Sequence, residues 1–406
     1  VQVANLQELR HAMNKHSLKS LSLALALGMG LAGPAFAAKG QTHDLLVGTY
    51  TGTTSEGIYR YTFDEANGKL SGKKLAVATA NPSWLVLNPA QTRVYAVSEN
   101  GPGGKDIVGR VASYNVDAGG GALTLINRIN TLGDEPTHVT MSPDERYLFV
   151  SNYAVKSVPG GMLAVVPIEA DGHLQPIVQV FSHEGSKVNP ERQLGAHVHS
   201  VTISPDGKYV FACDLGADKV YAYRYDPVAN AERPLTEAQV PFTQLPPGSG
   251  PRHMVFSADG KHAYLTLEMV GKVAVLDYDQ GKLTVQQILD LAEPGFSGKN
   301  GAGAIHLSPD GRFLYATNRG SDNQLVVYAV DPASGKLSLV QRRSVEGKEP
   351  REFAFDPDNR YVLIANQFSD QIVVIRRDPQ TGKLGKTVDT TDLGTPSALV
   401  FLREQP

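Results

Sequence analysis

The chain has 406 residues and a single cysteine, Cys213. One thiol cannot close an internal disulfide, so the fold must be held by burial alone. Cys213 ends the apolar run Tyr209-Val210-Phe211-Ala212, a setting for an inert thiol rather than an activated one. Excess charge is lacking too. Lys and Arg number 38 against 41 Asp and Glu, a net of −3, which removes the electrostatic case for a nucleic acid or an anionic membrane surface as partner. The sequence has no Gly-x-Ser-x-Gly elbow, no phosphate loop and no dinucleotide fingerprint. Gly101-Pro102-Gly103-Gly104 is a loop between strands, since no helix follows it to cradle a phosphate.

The apolar run Leu21 to Leu31 is too short for a comfortable membrane span. It follows the polar, basic Asn14, Lys15, His16 and Lys19 and ends in Ala35-Phe36-Ala37, small residues at the two positions a signal peptidase reads. The expectation is an export signal over residues 1–37, cleaved after Ala37, with Met13 as the true start and an upstream extension before it. The mature protein would enter a bacterial periplasm without a membrane anchor. A lipoprotein is not expected, because no cysteine lies near the cut.

What the chain does have is Gly, at 40, Pro, at 25, and one turn signal repeated. Ser-Pro-Asp-Gly or a worn copy occurs at Asn88–Gln91, Ser142–Glu145, Ser204–Gly207, Ser257–Gly260, Ser308–Gly311 and Asp356–Asn359, at spacings of 48 to 62 residues. A β-branched or aromatic strand flanks each copy on both sides. A strand-rich repeat of this length forms a radial array of small sheets. Six units are complete. Ser397–Leu402 is an innermost strand with no second strand after it, and Asp44–Tyr50 is a second strand with no first before it. Together they complete a seventh sheet and leave no open edge. The expected fold is all-β: one seven-bladed β-propeller of four-stranded blades over residues 44–403, closed by its terminal strands.

In such a blade the inner strand runs away from one face and the second strand returns to it. Inner-strand starts and second-strand ends therefore meet at one mouth of the central channel. The starts carry Trp84, His138, His199, Arg252-His253 and Arg351-Glu352. The ends carry Glu99-Asn100, Asn152-Tyr153, Asp214, Glu268, Asn318-Arg319 and Asn366-Gln367. Few of these suit a strand interior. Asn152, Asp214, Asn318 and Asn366 serve equally well as turn formers. Arg252, Glu268 and Arg319 are long charged side chains in adjacent blades, and point to binding or catalysis. His197 and His199 fall on one side of an extended segment, but a third ligand of fixed spacing is missing, so no metal is expected. His173, His183 and His262 fall in outer turns or linkers and are expected at the surface.

Ala196–Ser200, Cys213–Gly216, Gly250–Phe256, Leu267-Glu268, Ile305–Gly311, Thr317–Gly320 and Asn366-Gln367, taken in this order with the turn signals, resemble the lactonase family of seven-bladed propellers across the whole mature chain. That family includes 6-phosphogluconolactonases, gluconolactonases and fungal carboxymuconate cyclases. The resemblance implies chemistry on a lactone. The cyclase branch's proposed active groups, a histidine, two arginines and a glutamate, fall on His199, Arg252, Arg319 and Glu268. Two departures bear on the pocket: Ala304 replaces the usual acidic residue before Ile305-His306, and His183 to Leu194 is longer than expected.

The resulting expectation is an exported lactonase that opens an aldonolactone, glucono-1,5-lactone first, without metal or other cofactor. Glu268 activates water, His199 is the alternative base or the acid for the ring oxygen, and Arg252 and Arg319 hold the developing charge. His138, His197, His253, Asp214, Asn318, Glu99, Arg351 and Gln367 are the expected substrate contacts. A 6-phosphogluconolactonase, a muconate-type cyclase and a non-catalytic propeller binding a protein or glycan are the alternatives.

Overall fold

The computed structural model describes residues 41–402 apart from 102–103, 118–121 and 155–161. The leader, its expected cleavage point and Arg403 lie outside the described residues.

Each turn signal folds for a visible reason. In Ser204–Gly207 the Ser204 hydroxyl donates to Asp206 Oδ1 at 2.6 Å and accepts the Tyr209 amide at 2.9 Å. The Gly207 amide closes onto the Ser204 carbonyl at 2.9 Å. Gly207 sits at φ +71°, in the left-handed region where a residue without Cβ is unstrained. Ser142, Ser257 and Ser308 make the same serine–aspartate bond with Asp144, Asp259 and Asp310.

The strands form seven four-stranded antiparallel sheets among the described residues. We number the blades from the one that joins the first and last of the described strands. Their inner strands are Pro396–Leu402, Leu85–Leu87, Asp134–Met141, Val198–Ile203, Pro251–Phe256, Asn300–Leu307 and Pro350–Phe355. Each inner strand contacts that of the next blade, and the seventh contacts the first, so the ring closes. In blade 1, Leu45 pairs with Phe401 and Val47 with Leu399, which is the expected sharing of one sheet by the two ends of the chain.

Apolar residues facing out from neighbouring blades interleave in layers. Phe211, Met254 and Leu265 meet between blades 4 and 5, and Leu45, Phe63, Tyr361 and Leu363 between blades 7 and 1. Cys213 lies in the layer between blades 4 and 5, where burial pushes its thiol up to about 12. The outer strand of blade 4 starts at Leu235, whose amide bonds Gln179 Oε1 of blade 3 at 3.1 Å and whose side chain enters the core.

Candidate active site

The inner strands are irregular where they leave the channel mouth. Register shifts occur between Pro136 and His138, Val198 and Ser200, Pro251 and Met254, Ala302 and Ile305, and Pro350 and Glu352. Blade 1 repeats the shift between Pro396 and Ala398, so six blades carry a β-bulge at the same place. A bulge inserts a residue and re-aims side chains. The extra residues are Thr137, His199, Arg252-His253, Gly303-Ala304, Arg351 and Ser397. Second-strand ends across from them supply Tyr153, Glu268 and Arg319.

Glu268 opens a single 3₁₀ turn, Glu268–Val270, after the second strand of blade 5. Its carboxylate is the centre of the cluster. Oε2 accepts Arg252 Nε at 3.1 Å and Arg319 Nη2 at 2.9 Å, and faces His199 Nε2 at 3.9 Å. Oε1 accepts Arg192 Nη2 at 2.8 Å. Burial alone would raise the proton affinity of this carboxyl, but the Arg319 and Arg252 charges and the Arg192 hydrogen bond outweigh it and hold its pKa well below the usual range. Burial, with Arg252 adding to it, holds His199 and His253 well below 6.5 and brings His138 down to about 3. The three imidazoles are therefore neutral at pH 7. Arg252 is 1% exposed. Burial, Arg319 and Arg351 lower its pKa to about 9, so it remains a cation.

Beneath the cluster Trp84 lies 4.4 Å from His138 and 5.1 Å from His253, ring centre to ring centre, and His253 lies 5.1 Å from His199. This aromatic floor fixes the imidazoles without charge. Above it opens a cavity of about 220 Å³ lined by Glu99, Glu135, Tyr153, His199, Glu268, Arg319 and Arg351, with Arg192 at its edge. A small recess below it, lined by Trp84, His199, Arg252, His253 and Arg351, leads to the floor. Arg252 Nη1, Arg319 Nε, His199 Nδ1 and His253 Nε2 are buried and find no partner among the described residues. Buried polar atoms left open beside a cavity, two of them guanidinium donors, are the feature expected where a ligand oxygen binds.

Other expected contacts are spent elsewhere. Asp214 is fully buried and accepts His183 Nδ1 at 2.8 Å, the His197 amide at 2.7 Å and the Ala217 amide at 3.1 Å. It staples loops together and does not line the cavity. Asn318 bonds Asp322 and the Gly301 amide, again a structural role. Gln367 opens the 3₁₀ turn Gln367–Ser369 with its amide on the Glu349 carbonyl at 3.0 Å, outside the cavity lining. His197 stacks on Tyr153 at 4.7 Å and gives Nδ1 to the Tyr153 carbonyl, which positions Tyr153. His138 packs behind the floor. Glu99 is held by the hydroxyls of Tyr50 and Ser83 and faces Arg351 at 3.7 Å.

His183 corrects an expectation. It is not at the surface: its side chain is 4% exposed, Nε2 meets the Tyr223 hydroxyl at 2.6 Å, and its ring stacks on Tyr221 at 3.6 Å. His262 is likewise largely covered by its contact with Asp277, while His173 is exposed as expected. Arg192, Tyr153 and Glu349 were absent from the expected contacts. The unusual length of His183 to Leu194 was the one signal for Arg192. Glu349 accepts Arg319 Nη1 at 3.0 Å from a loop whose path no strand pattern dictates.

Ala304 is buried between blades 6 and 7 and adds no charge to the cavity. Its neighbour Gly303 sits under Arg319. A Cβ there would lie 2.3 Å from Thr317 Oγ1 and 3.2 Å from Arg319 Cδ. Gly303→Ala is expected to push Arg319 off Glu268, destabilise the fold by about 1–3 kcal/mol and reduce kcat/KM roughly ten- to hundred-fold. Thermal melting and steady-state kinetics check this, and wild-type values for both would show that Arg319 needs no such clearance.

Known proteins resemble this chain along its propeller. Residues 44–401 match the family described as "Lactonase, 7-bladed beta-propeller". A 6-phosphogluconolactonase of Bacillus subtilis is 34% identical over 361 residues, 88% of this chain and 98% of its own length. A periplasmic gluconolactonase of Pseudomonas aeruginosa of known structure is 56% identical, with a TM-score of 0.87 over 89% of this chain and 99% of that one. A putative 6-phosphogluconolactonase of Bacteroides fragilis is 33% identical, with a TM-score of 0.80 over 91% and 100%. With the ring of bulged inner strands and the buried arginine–glutamate cluster, these matches establish that the chain belongs to the lactonase family of seven-bladed β-propellers, carboxylic ester hydrolases that act on lactones.

Proposed function

We propose that this protein hydrolyses an aldonolactone, glucono-1,5-lactone in preference to its 6-phospho ester, in the periplasm. The observation that carries the reading is the buried Glu268 carboxylate flanked by Arg252, Arg319 and the neutral His199, beside a cavity with unfilled donors. Arg252 and Arg319 polarise the lactone carbonyl and hold the oxyanion that forms when water adds. Glu268 orients the water and receives its proton. His199 donates a hydrogen bond to the ring oxygen as the carbon–oxygen bond breaks. The product is the aldonic acid, whose carboxylate inherits the arginine contacts.

In the resting arrangement Glu268 binds a proton too weakly to draw one from water readily, since three guanidinium groups share its two oxygens. A substrate that draws off one of those partners raises its basicity. The periplasmic location is supported by the leader pattern before residue 38 and by the 56% identical periplasmic gluconolactonase. The names of the Bacillus and Bacteroides relatives favour a second reading, the 6-phospho ester as substrate.

Acid release from both lactones by the mature protein, corrected for spontaneous opening, tests the proposal. The expected result is acceleration of the free lactone with a higher kcat/KM than for the phosphorylated one. The reverse order would select the second reading, and no acceleration of either would overturn both.

A further inference from the structure

Arg192 comes from none of the seven blades' inner or second strands. It lies on the connection between blades 3 and 4, and that connection is firmly held. Gln193, fully buried, gives Nε2 to the Leu215 carbonyl at 2.9 Å and to Asp218 Oδ1 at 2.8 Å. Asn189 Oδ1 accepts the Glu191 and Arg192 amides at 2.9 and 3.0 Å. Asp218 also ties down Ser186 at 3.1 Å. The backbone at Arg192 is thus anchored on both sides, while its side chain is 43% exposed.

That side chain spans a gap. Nη2 reaches the Tyr153 hydroxyl at 2.8 Å and Glu268 Oε1 at 2.8 Å. On one side is the cavity described above. On the other is a second cavity of about 380 Å³, lined by Asn189, Lys299, Asn300, Glu349 and residues it shares with the first: Arg192, Glu268 and Arg319. Arg192 is the most exposed of the three side chains common to both linings. Arg192 Nη2 takes up an acceptor position on Glu268 Oε1 that a water in the first cavity would otherwise use. Arg252 is 1% exposed and Arg319 carries a second carboxylate, Glu349, so of the three guanidinium groups on Glu268 only that of Arg192 is free to turn into solvent.

We propose that Arg192 is a substrate-displaced latch: the hydroxylated tail of the bound sugar lactone takes over its guanidinium, which frees Glu268 Oε1 and joins the two cavities, so that the lactone ring lies in the first and the tail in the second. This rests on the lactonase reading above and deepens it. Arg192 is then a specificity-determining residue for polyhydroxylated lactones and a positioning residue for Glu268. A simple lactone without a hydroxylated tail leaves the latch closed and is opened poorly. The proton balance is unchanged: water loses a proton to the Glu268 carboxylate as its oxygen bonds the carbonyl carbon, and as the carbon–oxygen bond of the ring breaks that same proton passes to the departing ring oxygen, which leaves Glu268 ionised again.

The charged and titratable groups facing Glu268 are Arg192 from the connection, Tyr153 of blade 3, His199 of blade 4, Arg252 of blade 5 and Arg319 of blade 6. Arg351, Glu99 and Glu135 line the rest of the cavity. Removing Arg192 deletes one of the groups that lower the Glu268 pKa, so the acid limb of kcat/KM should move to higher pH. Trp84, the one tryptophan of the chain, forms the site's floor, and its fluorescence reports occupancy without catalysis.

The experiment compares wild type, Arg192→Ala and Arg192→Lys in the mature protein. Steady-state kinetics on glucono-1,5-lactone and on unsubstituted δ-valerolactone are run across pH, and D-gluconate is titrated against Trp84 fluorescence. For Arg192→Ala the expected results are a KM for the gluconolactone raised about ten- to hundred-fold, the loss of one charge-assisted contact, an acid limb shifted upward, and gluconate binding weakened in parallel. Arg192→Lys should restore part of the KM and the limb. Selectivity for the gluconolactone over valerolactone should fall with Arg192→Ala. An unchanged limb and selectivity in Arg192→Ala, whatever its melting temperature, would overturn the latch. If the wild type opens neither lactone, the lactonase reading fails separately, and the gluconate titration still decides whether Arg192 takes up a hydroxylated acid: at least tenfold weakening in Arg192→Ala supports that contact, and an unchanged midpoint or a silent Trp84 overturns it.

Discussion

Glu268→Gln is expected to lower kcat on the preferred lactone by about 10²- to 10⁴-fold, the range for removing a general base. Glutamine keeps the shape and one acceptor oxygen but cannot take a proton. It also leaves Arg252 and Arg319 without the carboxylate that compensates their burial. Breaking a buried ion pair from one side costs about 3–5 kcal/mol, so a melting temperature several degrees below wild type should accompany the lost turnover. The pH dependence gives a further check. The Glu268 pKa is depressed on folding, so its contribution to stability is present above the ordinary glutamate value of 4.5 and is lost as pH falls towards the folded value. The stability gap between wild type and Glu268→Gln should therefore be full at pH 7 and shrink below about pH 4.5. Full turnover in the variant would remove Glu268 from the mechanism. A propeller that only binds its ligand would keep its affinity and have no turnover to lose.

Arg252→Met should separate activity from stability. Burial and the charges of Arg319 and Arg351 make the Arg252 guanidinium harder to protonate in the folded protein than in the unfolded chain, with a pKa of about 9. Its charge at pH 7 therefore costs stability, and that cost is relieved only as pH rises through the folded pKa. Methionine matches the length of the side chain and suits the buried site. Glu268 keeps Arg319 and Arg192 as partners. We expect a melting temperature close to wild type, because the desolvation cost of the Arg252 cation is removed while the Glu268 carboxylate stays paired with two guanidinium groups. Activity should still fall by about 10²- to 10³-fold, the loss of one preorganised oxyanion donor. Calorimetry with initial-rate kinetics tests both halves. A variant that melts far below wild type would show that Arg252 is mainly a structural tie between blades, and retained kcat would remove it from the oxyanion site.

Much of this protein is legible along the chain. Ser204-Pro205-Asp206-Gly207 and its copies define the turns because a serine, an aspartate and a glycine three residues apart satisfy the same local hydrogen bonds wherever they occur. The pairing of Leu45 with Phe401 follows from two incomplete units at opposite ends. His199, Arg252, Glu268 and Arg319 converge as strand order demands. Each of these inferences depends on contacts local in sequence or repeated in every blade.

The tertiary structure decided what no local pattern encodes. Asp214 and Asn318 sit at the expected strand ends, yet their side chains turn to loop amides, because a buried acceptor binds whichever donors the neighbouring loops bring to it. His183 is buried by Asp214, Tyr221 and Tyr223, residues 31 to 40 positions away. Arg192 reaches Glu268 across 76 positions because Asp218 and Gln193 fix the path of an irregular connection. The bulges that place Thr137, His199, Arg252, Gly303, Arg351 and Ser397 at one mouth leave the hydrophobic alternation outside them unchanged. The sequence by itself determined the ring, its closure and the four groups at its centre, since these follow from periodicity. The aim of each side chain, the second cavity and the guanidinium common to both linings were decided by packing among distant segments, where each polar group takes the nearest partner that the folded chain presents.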